Sequence, residues 1–74
     1  MQKGDIMQIS LKAARVNAEL TQEEAAKLIG RTKQTIVNWE LGVTEIKFRD
    51  LVTLSKLYDM PIEMIKTPEK RKRD

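Results

Sequence analysis

The sequence predicts an all-α fold, five short helices in one compact bundle, on three observations. From Ser10 onward, apolar residues recur at helical spacing. Hydroxyl residues and glycines punctuate these stretches, with Ser10, Thr21 and Thr32 before them and Gly30 and Gly42 after. The 74 residues include neither cysteine nor histidine, so disulfides, thiolate sites and imidazole ligands are all closed to the chain. A small domain without such a staple must rest on close packing, most economically of helices.

Residues 1–9 lack a clear period and are expected to form an N-terminal extension. Ser10 can cap a first helix over 11–18, with Leu11, Ala14 and Ala18 on one face. A start at Asp5, which adds Met7 to that face, is the alternative. Thr21-Gln22-Glu23-Glu24 has the spacing of a capping box, in which the threonine hydroxyl and the glutamate carboxylate each take a backbone N–H of the other. Leu20, just before the cap, is placed to staple onto Ala25. The second helix then runs over 22–29, with Ala25, Ala26, Leu28 and Ile29 apolar, and Gly30 stops it.

Thr32 caps a third helix over 33–41, with Ile36 and Trp39 on its apolar side, and Gly42 ends it. Only Arg31 and Thr32 separate Gly30 from this helix, which forces a sharp turn between two short helices. After the loop Val43–Lys47, a fourth helix over 48–58 carries Phe48, Leu51, Val52, Leu54, Ser55 and Tyr58. Pro61 suits the first turn of a fifth helix over 61–66, burying Ile62 and Ile65, and Pro68 stops it. Residues 10–66 are thus the domain, and 67–74 a charged tail expected to be disordered, with Glu69–Asp74 solvated and a KRKR run that could also serve as a nucleic-acid arm.

The net charge is +3, but the tail holds four basic and two acidic residues, so the body is nearly neutral. Any surface for nucleic acid must come from where charges sit rather than from their excess. No apolar run approaches the roughly 18 residues of a membrane span, and the N-terminus has no signal-peptide pattern. A cytoplasmic setting without a membrane partner is expected. The acidic residues Glu23, Glu24, Glu40, Asp50 and Glu63 are scattered over different helices, with no metal-ligand spacing, nucleophile–base pair or phosphate-cradling glycine loop. No enzymatic activity, cofactor or metal is expected.

The run LTQEEAAKLIGRTKQTIVNWELG, with Arg15 upstream and LVTLSKLYDMPIEMI downstream, resembles the helix-turn-helix family of phage repressors, Cro proteins and Xre-type regulators. The resemblance covers Leu11 to Ile65. It implies a lambda-repressor-like domain in which the second and third helices form the motif, and a transcriptional regulator that binds double-stranded DNA in a sequence-specific way. The third helix would enter the major groove while the second meets the backbone. A homodimer on a two-half-site operator is the implied assembly. Some positions depart from the family. Arg31 stands where relatives usually carry a small apolar residue, and Ala25 replaces a commoner leucine. The loop Val43–Lys47 lacks the usual proline and carries Glu45, and Val37 and Leu41 are apolar where relatives are often polar.

On this frame Lys33, Gln34, Thr35 and Asn38 occupy the start and outer face of the third helix, Gln34 and Asn38 one turn apart. Amides suit adenine edges and lysine suits guanine. Gln22, at the positive end of the second helix, and Arg31, in the turn, are expected at the DNA backbone, and Thr32 is expected among the DNA-binding residues. The resemblance also brings Arg15 against Glu40 as a structural ion pair that pins the recognition helix. Ala26 is the small residue at the closest approach of the two motif helices, and Trp39 packs in the core. The competing class is a protein-interaction module of the same fold, an antitoxin or co-regulator, whose third helix should present an apolar outer face.

Overall fold

The computed structural model describes residues 7–69; residues 1–6 and 70–74, with the KRKR run, lie outside the described residues. A two-residue strand, β1 (Ile9–Ser10), leads into α1 (Leu11–Asn17), followed by α2 (Gln22–Leu28), α3 (Lys33–Leu41) and α4 (Phe48–Leu57). A 3-10 turn (Ile62–Met64) and a second short strand, β2 (Ile65–Lys66), complete the described chain. The first helix starts at Leu11 under a Ser10 cap, and Met7 stands exposed, so the earlier start at Asp5 is not adopted.

Among the described residues, four helices form rather than five. Pro61 is extended (φ −55°, ψ 138°), and only a three-residue 3-10 turn follows it. The segment is short: Pro68 disfavours helix at Thr67, and a helical nucleus is costly for so few residues. Instead, Ile65 and Lys66 pair in parallel with Ile9 and Ser10, Ile65 opposite Ile9. Ile65 is buried as expected, whereas Ile62 is half-buried. Ile9, read as part of an extension, thus belongs to the folded body.

Each helix ends in the same way. Glu19, Gly30, Gly42 and Asp59 adopt left-handed φ of 61°, 71°, 77° and 55°. The next residue returns its N–H to a carbonyl of the last turn: Leu20 to Arg15 at 3.2 Å, Arg31 to Ala26 at 2.8 Å, Val43 to Asn38 at 2.9 Å and Met60 to Ser55 at 3.0 Å. Two of these four stops are therefore made without glycine.

Leu11, Ala14, Ala25, Ala26, Ile36, Trp39, Leu54, Tyr58 and Ile65 form the core. Among the described elements, α2 and α3 share the most extensive contact, and the buried Ala25 and Ala26 allow their close approach. Phe48 and Leu28, read as helix-face apolar residues, stand exposed instead, at 72% and 63%. After β2 the chain crosses the end of α3, so that a Cβ placed on Gly42 would lie 2.7 Å from the Glu69 carbonyl oxygen. Gly42 is buried beneath this crossing, and Thr67 and Pro68 are half-buried.

Candidate nucleic-acid interface

The start of α2 is built by a reciprocal cap. Glu24 N–H donates to Thr21 Oγ1 at 3.0 Å, and Thr21 N–H donates to Glu24 Oε1 at 2.9 Å. Gly30 closes this helix and turns the chain, and Thr32 opens the next, its Oγ1 accepting from Thr35 N–H at 3.2 Å. The Thr32 and Thr35 hydroxyls are themselves 3.0 Å apart. Both threonines thus shape the turn and the first residues of α3.

The third helix has two unlike sides. Ile36 and Trp39 are buried in the core, while Lys33 and Gln34 are exposed and Thr35, Val37 and Asn38 half-exposed. Gln34 Nε2 donates to Asn38 Oδ1 at 3.0 Å, so the two amides are held in one orientation. That bond leaves the Gln34 carbonyl oxygen and the Asn38 amide N–H groups as acceptor and donor for another molecule. The outer face is not wholly polar, since Leu41 is 52% exposed at its far end.

Arg15 and Glu40 meet across the bundle. Arg15 Nε donates to Glu40 Oε2 at 2.7 Å and Nη2 to Oε1 at 3.2 Å, while Nη1 donates to the Leu20 carbonyl at 2.8 Å. The two side chains are 9% and 5% exposed. The hydrogen bonds that Arg15 donates to Glu40 raise its pKa above the ordinary arginine value, burial opposes this, and the Glu40 charge adds to the rise. Tyr58 lies close enough to feel the same carboxylate. Burial chiefly, with the Glu40 charge adding to it, pushes its phenol up to about 12.

Gln22 joins this network, its Nε2 donating to Glu40 Oε1 at 3.0 Å. The side chain expected at a phosphate is therefore turned toward the carboxylate in the free protein. Arg31 is likewise engaged: its Nη2 donates to Asp50 Oδ1 at 2.7 Å, and its guanidinium carbon sits 5.6 Å from the centre of the Trp39 ring. The structure thus gathers Lys33, Gln34, Thr35 and Asn38 on α3, and ties Gln22 to Arg15 and Glu40, but turns Arg31 toward α4. The two bonds that sequence reasoning missed, Gln22 to Glu40 and Arg31 to Asp50, span 18 and 19 residues with no motif linking them. Arginine in place of a small apolar residue is the sole hint of the second.

Among the described residues, no group of three or more His, Cys, Asp or Glu is placed to hold a metal, and no helix is long and apolar enough to cross a membrane. A family model described as helix-turn-helix matches residues 11–65 of the chain. No curated protein and no solved structure matches it.

Proposed function

Because the chain belongs to the helix-turn-helix family, of the Xre and lambda-repressor-like type, we propose that it binds double-stranded DNA in a sequence-specific manner and regulates transcription. The observation that carries this reading is the Gln34–Asn38 pair on the outer side of α3. The free carbonyl of Gln34 and the free amide N–H of Asn38 form an acceptor–donor couple. Adenine presents the complementary couple, an N6 donor and an N7 acceptor, in the major groove. Lys33, exposed at the first position of the same helix, suits the acceptor edge of guanine.

Positioning contacts come from elsewhere. The backbone at Gln22 and Thr32 meets phosphates, and Thr35 supports the entry of α3 into the groove. The protein works as a homodimer on a two-half-site operator in the cytoplasm, because the near-neutral body gives one protomer little electrostatic hold on a duplex. No catalytic step enters this function.

The test is a titration of Gln34→Ala and Asn38→Ala against a duplex selected from a randomised pool and against its scrambled form. Each variant should lose on the order of 1–3 kcal/mol on the selected duplex and relax choice at one base pair. If both variants keep the parent's discrimination, α3 is not the reader. The exposed Leu41, together with Val37, would then favour the antitoxin or co-regulator reading.

A further inference from the structure

Arg31 is the charged residue of the turn between α2 and α3, and its end is turned into the protein's own surface. Its backbone N–H closes α2 on the Ala26 carbonyl, its guanidinium lies over Trp39 of α3, and its Nη2 reaches Asp50 in the first turn of α4. Three elements are joined at one residue, two of them, α3 and α4, by its side chain. The Asp50 side chain is only 13% exposed, and among the described residues Arg31 is the cation within ion-pair distance of it.

We infer that Arg31 is a positioning residue for duplex binding, acting through Asp50 and Trp39 to hold the start of α4 against α3, and that it contacts no phosphate; this rests on the DNA-binding reading above. Carrying the guanidinium off to a phosphate would strand a carboxylate that is largely out of water, a costly exchange for a contact at the rim. The paired charges cancel toward a duplex, so Arg31 displaces no counterion from it. The Trp39 ring adds an attraction that a phosphate position would forfeit. The exposed Lys47, the cap residue of α4, and the exposed Arg49, in its first turn, stand beside Asp50 in the chain. The clasp therefore sets where those two cations stand relative to the exposed side of α3.

Two measurements test this on the full chain. The first is thermal unfolding of Arg31→Ala, Asp50→Ala and the double variant. Arg31→Ala should lower Tm in the parent and lower it much less when Asp50 is already alanine; equal losses in the two backgrounds overturn the clasp, whether or not any duplex is bound. The second is titration of a selected duplex at several salt concentrations, well below the Tm of each variant. Arg31→Ala should weaken binding about tenfold while leaving the slope of log affinity against log salt unchanged. The uncharged pair Arg31→Met with Asp50→Leu, which keeps the contact with Trp39, should bring affinity back to within about threefold of the parent. A slope that falls by about one unit in Arg31→Ala, with no recovery in the apolar pair, overturns the proposal and makes Arg31 a phosphate contact. If the parent binds neither selected nor mixed-sequence duplex, the DNA-binding reading fails and the positioning role fails with it, while the Tm comparison still decides the clasp itself.

Discussion

Replacing Glu40 by alanine leaves three hydrogen-bond donors, Arg15 Nε, Arg15 Nη2 and Gln22 Nε2, without their acceptor. The site is nearly dry, with the Arg15 side chain 9% exposed. Removing one partner of a buried pair typically costs about 3–5 kcal/mol, because the remaining charge is left uncompensated. Glu40→Gln differs in an instructive way. Its amide oxygen can take the place of Oε1, which serves both Arg15 Nη2 and Gln22 Nε2. Its NH2 group then faces Arg15 Nε, so one charge-assisted bond is lost, at a cost of about 1.5–3 kcal/mol. A domain of this size has about 4–11 kcal/mol of stability in all, so the alanine variant should stand near the edge of unfolding and the glutamine variant should not. Urea and thermal unfolding followed by far-UV dichroism measure the difference, about 4–8 °C in Tm for each kcal/mol. If Glu40→Gln and Glu40→Ala cost the same, or if both cost less than about 1 kcal/mol, the pair behaves as a solvated surface bridge and the pinning argument is refuted.

Other perturbations follow from the same geometry. Glu19→Gly should stabilise the protein by about 0.5–1 kcal/mol by relieving a left-handed φ of 61°, and Asp59→Gly by less, since aspartate tolerates that conformation better; denaturant midpoints would show it. Gly42→Ala should cost more than Gly30→Ala, because a Cβ at Gly42 would press on the Glu69 carbonyl at 2.7 Å whereas the space around Gly30 is open; the two Tm values give the comparison. The phenol of Tyr58, the chain's single tyrosine, should ionise near pH 12 in the folded protein and near its ordinary value of 10.0 once unfolded, as ultraviolet titration would report. Between those values the unfolded chain loses a proton that the folded one keeps, so this residue's contribution to stability is intact below pH 10 and disappears as pH rises toward 12; Tyr58→Phe should remove that component of the alkaline loss.

Local signals carried most of the fold. The capping residues Ser10, Thr21 and Thr32 and the stops Gly30 and Gly42 act through neighbours within a few positions, so their roles can be read from spacing alone. The stops at Glu19 and Asp59 were not legible as such, because neither residue type is specific to a left-handed turn. The last segment failed for a different reason. Pro61 followed by Ile62 and Ile65 is compatible with a helix, and only a partner 56 positions away, Ile9, offers Ile65 a strand instead. The Arg15–Glu40 pair came from family likeness, not from any rule of spacing. The engagement of Gln22 and Arg31 depends on where Glu40 and Asp50 stand after packing, which no local pattern records.

The parallel sense of β1 and β2 has a mechanical consequence. Because the two strands run the same way, the chain approaches Ile9 from one end of the pair and departs from Lys66 at the other. Tension applied through the flanking segments therefore loads the pair in shear, so that its hydrogen bonds share the load instead of opening one after another. The pair joins the two ends of the domain directly, in parallel with the long path through the helices. A pull from the C-terminal side first meets the packing of Pro68 and Glu69 over Gly42 at the end of α3, and the strand pair then takes the load ahead of the path through the helices.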